Sequence, residues 1–299
     1  MLPLRRHGRL VAAEDGDALV SVSVGPEGEA VALWAAPSET FSEAPARVTV
    51  HSPEGVRVVR LAALPLAHGV AQPLPDGRIL VVASRCQWRP EGPEHNAIVY
   101  DADGELVGAY TFGDGIQDVY TTPSGSVWVS YFDEGVYGNY GWGGPGPEPL
   151  GACGLARFGA DGQPDWRFSP QGKAPYIDDC YALNVAGETA WACYYSGFPL
   201  VRVRDGRPTA WSNDLASGAR ALLAGDDRVA LFGGYRSERD RLVVAELGGD
   251  TLRDAGQHRV VLPDGERFPE GAWVDGRGPD LHVFAGVDWY RLSLDLAGR

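Results

Sequence analysis

The 299-residue chain is long enough for one large all-β domain or two smaller ones, and 44% hydrophobic residues with nine Trp supply a packed core. Forty Gly and 22 Pro fall in short clusters between apolar runs, the composition of a chain with many turns rather than a collagenous or disordered one. A net charge of −14 argues against nucleic acid and anionic membrane surfaces, which are bound by clustered Lys and Arg.

The first residues, MLPLRRHGRLVAAEDGD, have two arginines but no apolar run behind them, so they do not read as a secretory signal. Cys86, Cys153, Cys180 and Cys193 follow no C-x-x-C spacing. A cytoplasmic protein with reduced thiols is expected, with one disulfide left open.

In chain order, one pattern returns: an apolar-polar strand, a Gly- or Asp-containing turn, and a strongly apolar strand. It appears in ALVSVSVGPEGEAVALWAA from Ala18, HGVAQPLPDGRILVVAS from His68 and QDVYTTPSGSVWVSYF from Gln117. It continues in CYALNVAGETAWACYY from Cys180, ARALLAGDDRVALFGGY from Ala219 and GAWVDGRGPDLHVFAGV from Gly271. The copies start roughly 40 to 60 residues apart, the spacing of propeller blades. Pro-Glu-Gly at 26–28, Pro-Asp-Gly at 75–77 and Pro-Ser-Gly at 123–125 place Pro where φ near −65° is wanted and Gly where φ is positive.

A second hairpin follows most copies, at 47–61, 97–112, 154–168, 200–211 and 242–262. Four strands in a row make one blade. The sixth copy has only WYRLSLDL at 289–296 after it, while GRLVAA at 8–13 is an unassigned strand-like segment. The expected fold is therefore an all-β, single-domain six-bladed β-propeller of four-stranded antiparallel blades spanning 1–299. The N-terminal strand completes the last blade and closes the ring, which removes an exposed sheet edge. Trp128, Trp191 and Trp273 alternate with small residues and are expected between blades.

In such a fold the starts of the inner strands and the loops between second and third strands share one face, and turns such as PSG and DADG lie on the other. His68, Gln117, Asp118, Asp178, Asp179, Cys180, Arg220 and Glu270 fall on the first face near the channel. So do two long loops, 84–96 and 132–154, and long loops on a rigid scaffold usually carry function. Between Pro90 and Ala156 there are ten carboxylates and no Lys or Arg. Asp101, Asp103 and Glu105 belong to a turn; Asp114, Asp118, Asp133 and Glu134 belong to the elaborated face, joined by Asp178 and Asp179. Carboxylates gathered without basic partners call for protons or a cation, and Ca²⁺ with oxygen ligands is the natural guest.

The expected metal ligands are Asp118, Asp133, Asp178 and Glu270. The expected proton-handling groups are Asp179, Glu134 and His68. Tyr137, Tyr140 and Trp142, in a Gly-rich loop, read as a lid or stacking surface, with Tyr195 and His95 at the same mouth. Each has a structural alternative: inner-strand Asp side chains accept backbone N–H bonds, the loop rings close the loop on itself, and the histidines are polar rim residues. Cys180 beside Asp179 is a further conceivable nucleophile.

The segment GIQDVYTTPSGSVWVSYFD resembles the repeat of NHL-type propellers and of the related gluconolactonase and strictosidine-synthase-like group. That resemblance implies a divalent metal on the channel axis held by Glu, Asn and Asp, with Glu270, Asp118 or Asp179 as ligands. Two functions remain open. One is a small-molecule site used for metal-assisted hydrolase, lactonase or lyase chemistry; the other is a non-catalytic propeller that binds a ligand or protein through the 132–154 loop.

Overall fold

The computed structural model describes residues 1–36 and 45–297. Six four-stranded antiparallel sheets follow one another along the chain, each a β-propeller blade in strand order. By Cα packing the chain divides into two compact units, residues 10–168 with blades one to three and residues 1–9 with 169–299 carrying blades four to six. No helix among the described residues is long and apolar enough to cross a membrane.

In the first unit the blades are Ala18–Val24, Ala30–Ala35, Ala46–Ser52 and Gly55–Leu61; then Gly69–Pro73, Ile79–Ala83, Ala97–Tyr100 and Leu106–Tyr110; then Ile116–Thr121, Val127–Tyr131, Leu155–Phe158 and Pro164–Arg167. The second strand of each is apolar, Ser130 excepted, because both its faces are covered. In Ile79–Ala83, Ile79 and Val81 pack with Leu33 and Val48 of blade one, while Leu80 and Val82 pack with Val129 and Phe158 of blade three. Side chains alternate across a strand, so a strand between two neighbours needs apolar residues at every position. The predicted turns have the predicted backbone: Gly28, Gly77 and Gly125 all sit at positive φ. Asp101 Oδ1 accepts the N–H groups of Asp103 and Glu105, as expected of a turn residue, and Asp161 and Asp264 each accept the N–H two residues on in the same way.

The second unit holds Asp179–Ala186, Thr189–Tyr195, Leu200–Arg204 and Arg207–Trp211; then Ala221–Ala224, Arg228–Phe232, Arg241–Gly248 and Thr251–Val261; then Trp273–Arg277, Asp280–Ala285 and Asp288–Ser293. The fourth strand of the last blade is N-terminal, as the repeat predicts, but it is Arg5–Arg9 rather than 8–13. The correction has a physical reason. RRHGR reads as too polar for a strand, yet an outer strand needs only one covered face, and here the anchors are Leu4, 1% exposed, and the His7 ring at 4.3 Å from Trp289. An unpredicted pair, Leu2–Pro3, also runs parallel to Val260 and Val261 of blade five. Trp128 and Trp191 are buried as expected, but Trp273, at the start of its strand, remains 39% exposed.

Each unit also has one fully buried amide that ties three blades together. Gln72 Nε2 donates to Ser23 Oγ and the Val24 carbonyl, while its Oε1 accepts from the Thr121 N–H and hydroxyl. Asn184 does the same work in the second unit, between Leu222 and Gly278.

Candidate functional site

The two long loops of the first unit are less irregular than their composition suggests. Residues 84–96 contain a small hairpin, Trp88–Arg89 with Gly92–Pro93, and 132–154 contains a helical turn, Asp133–Tyr137, and a 3-10 turn, Leu150–Cys153. The helical turn sits directly on the chain at Gly115: a Cβ there would lie 2.2 Å from the Gly135 nitrogen, so only glycine fits.

Arg85 organises the acidic face. Its guanidinium binds Asp114 at 2.9 Å and also binds Glu134, and it lies 4.2 Å from the Tyr140 ring centroid and 5.5 Å from that of Phe132. Asp114, its side chain 1% exposed, also accepts the Cys86 N–H at 2.8 Å. Burial pushes the Asp114 carboxyl above its ordinary value, against the opposing pull of the Cys86 N–H and Arg85. Glu134 is held below its ordinary value, chiefly by the Arg85 hydrogen bond. The expectation of carboxylates without a basic partner is thus corrected: the partner lies just outside the 90–156 window, 29 and 49 residues from the acids it serves.

The predicted lid residues separate. Tyr137 and Tyr140 are exposed, and Tyr140 already stacks on Arg85. Trp142 is buried and donates its indole N–H to the Cys86 carbonyl at 2.8 Å, so it joins the two long loops instead of capping them. Asp118 accepts from Ser130 Oγ at 3.0 Å within its own blade, and Asp133 accepts the Glu134 N–H at 2.7 Å at the start of its helical turn. His68 is exposed, with left-handed backbone where the chain enters Gly69–Pro73. In the second unit Asp178 and Asp179 are half-buried at the start of their strand, where the Asp178 N–H donates to the Tyr195 carbonyl at 3.0 Å. Tyr195 is 49% exposed beside Phe198, and Glu270 is exposed at a cavity rim dominated by arginines. Among the described residues no three His, Cys, Asp or Glu side chains gather as a metal ligand set.

His95 and Trp142, drawn from different long loops, do converge. They line a cavity of about 330 Å³ in the first unit, together with Tyr110, Thr111, Gln163 and Arg167. None of its lining residues comes from the inner strands Ala18–Val24, Gly69–Pro73 or Ile116–Thr121, so it lies toward the outer strands of blades two and three. Gly162 lies flat on the Tyr110 ring, where a Cβ would come within 2.1 Å, and this fixes one wall. Thr111 donates its hydroxyl proton to the Glu94 carbonyl at 2.9 Å, so at 3.1 Å it can only accept from His95 Nδ1. That assigns the Nδ1–H tautomer to neutral His95 and leaves Nε2 as an acceptor. Arg167 makes no ion pair among the described residues. Sequence reasoning missed Arg167 and Thr111, because one ends an outer strand and the other follows one, where polar residues look like ordinary edge chemistry.

All four cysteines are free thiols. Burial pushes Cys86 and Cys193 up to about 12, and raises Cys153 as well, while Cys180 is 1% exposed. None is a poised nucleophile. Ellman's reagent at about pH 7.5 should find no fast thiol in the native protein and the full set after denaturation; a rapidly titrating native thiol would contradict this.

A family profile described as the YxzG family matches residues 167–227, about a fifth of the chain. No curated protein matches. Among solved structures, a putative 6-phosphogluconolactonase from Bacteroides uniformis is 14% identical, covering 85% of this chain and 75% of that one at a TM-score of 0.49. The β-propeller domain of the Trilobed protease from Pyrococcus furiosus is 9% identical (94% and 82% covered, TM-score 0.48), and a luciferin-regenerating enzyme is 13% identical (96% and 95%, TM-score 0.45). At these values the likenesses bear on neither the activity nor the site of this chain.

Proposed function

We infer that the protein is a small-molecule-binding propeller whose ligand occupies the cavity between blades two and three. One observation carries this reading: the two long loops deliver His95 and Trp142 to a single cavity that also holds the free guanidinium of Arg167. Its volume of about 330 Å³ is at the lower end of small-molecule sites. Trp142 and Tyr110 offer ring walls, Arg167 a fork for a carboxylate, and His95 Nε2 an acceptor for a hydroxyl. A compact cyclic or aromatic carboxylic acid fits this chemistry.

Binding is better supported than catalysis. The perturbed acid that Arg85 binds, Asp114, is buried between blades two and three, and three of the four thiols are buried. A Ca²⁺-assisted hydrolase would need Asp118 or Asp133 to sit in a cluster of oxygen ligands, and no three His, Cys, Asp or Glu side chains gather in that way among the described residues.

The test is calorimetric titration with a panel of cyclic and aromatic carboxylates. Saturable binding should weaken about tenfold in Arg167→Ala, the loss of one charge-assisted contact. It should weaken less in His95→Ala and be unchanged in Asp76→Ala, a turn variant outside the cavity. Binding that ignores both cavity substitutions, or no binding by any acid, would sink the reading.

A further inference from the structure

The second unit has a cavity of about 380 Å³ where blades five and six begin their inner strands. Three separate pieces of chain wall it: Arg220 ahead of Ala221–Ala224, the 233–240 loop between the second and third strands of blade five, and the 262–272 connection into Trp273–Arg277. Together they bring Arg220, Arg236, Arg239 and Arg267 to one concavity. None of these four makes an ion pair or side-chain hydrogen bond among the described residues. That sets them apart from Arg47, Arg60, Arg157, Arg259 and Arg291, each of which holds a carboxylate. Of the two acids at the cavity, Asp240 is already bound by Arg259 at 2.5 Å, and Glu270 is exposed.

Like charges kept together without partners are unfavourable unless something compensates. All four arginines keep an exposed side, as Glu270 does, yet at Arg220 partial burial, and then the neighbouring Arg239, lower its proton affinity. The chain as a whole is acidic, so its long-range field repels anions and cannot account for binding here. The loop that carries Arg236 and Arg239 is also held in place. Tyr235 donates its hydroxyl to Tyr181 at 2.9 Å and packs its ring on Phe198, and Arg259 donates to the Ser237 carbonyl at 2.5 Å. Arg236 itself has left-handed backbone, φ 53°. Guanidinium groups mounted on an ordered turn lose little freedom when they close on a ligand.

We propose that this cavity binds a small molecule carrying two or more negative charges, a phosphate ester or polycarboxylate gripped by Arg220, Arg236, Arg239 and Arg267. Phe268 and Pro269, also in the wall, would cover the uncharged part of it. The site is independent of the one in the first unit.

The experiment is calorimetry and thermal melting of the whole chain at physiological salt, with pyrophosphate and citrate as separate probes. At least one should bind saturably and raise the melting temperature, and which one binds tells phosphate from carboxylate recognition. Arg239→Ala should weaken that binding about tenfold or more, while leaving melting without anion unchanged or higher, because a repulsion has gone. Arg239→Lys keeps the charge but not the fork and should fall between. Arg207→Ala, which removes an exposed arginine of blade four outside both cavities, should bind the anion as the native protein does. No saturable binding by either probe, equal binding in Arg239→Ala, or an equal loss in Arg207→Ala would each overturn the proposal.

Discussion

Replacing Asn184 with alanine should cost about 4 kcal/mol of stability, because it strands three buried backbone groups at about 1–3 kcal/mol each. The Asn184 amide is 0% exposed; its Nδ2 donates to the carbonyls of Leu222 and Gly278, and its Oδ1 accepts the Gly278 N–H at 3.0 Å. These partners lie on the inner strand of blade five and in the first turn of blade six, so one side chain fixes the spacing of three blades. Only an Asn or Gln amide offers two donors and an acceptor from one planar group, and Gln would carry that group one methylene further out. Asn184→Leu fills the space but leaves the same three groups unpaired, so it should lose nearly as much. Gln72→Ala is the matching experiment in the first unit, where Thr121 would lose its acceptor. Urea unfolding measures both. A loss under about 1 kcal/mol, with exchange rates unchanged in blades four to six, would mean that water replaces the amide.

The parts of the fold that local chemistry dictates were legible in the sequence. Pro-Asp-Gly and Asp-Ala-Asp-Gly turns need only their own residues, and a strand with both faces covered must be apolar along its length, so six blades could be read in order. The final strand was placed a few residues late, because Arg5–Arg9 is polar and gains its stability from Trp289, some 280 positions away. The same limit applied to the sites. That the 84–96 and 132–154 loops matter was visible from length and composition, yet the charge count that suggested a cation stopped at Pro90 and so omitted Arg85. His95 and Trp142 were picked out for a shared mouth; their meeting in a cavity of the outer strands depends on how the two loops dock. The arginine cavity draws on 220, 236–239 and 267, and only GGYRSERD, a short loop, showed any local density of charge.

Replacing Arg85 with alanine should destabilise the first unit in a pH-dependent way. It leaves Asp114 with no cation while the carboxylate stays almost wholly buried. Breaking a fully buried pair costs about 3–5 kcal/mol; Arg85 keeps 36% of its side chain in solvent, so about 2–3 kcal/mol is expected near neutral pH. The sign with pH follows from the raised carboxyl of Asp114. The folded protein holds that proton more tightly than the unfolded chain does, so the group's contribution is fully present below the ordinary value of 3.8 and is lost as pH rises through the folded value. Removing Arg85 takes away one of the influences holding that value down, so the loss extends to higher pH. The gap between the native protein and Arg85→Ala should therefore be widest at about pH 7–8 and narrow toward about pH 5, as more of Asp114 becomes neutral in the variant. The Arg85→Ala, Asp114→Asn double variant has no buried charge to strand, and keeps a side-chain oxygen for the Cys86 N–H. It should recover about 1–2 kcal/mol and lose the pH dependence, a coupling that a double-mutant cycle reads directly. A destabilisation equal at every pH, and not relieved by Asp114→Asn, would mean that Arg85 acts through its packing on Phe132 and Tyr140 and not through charge.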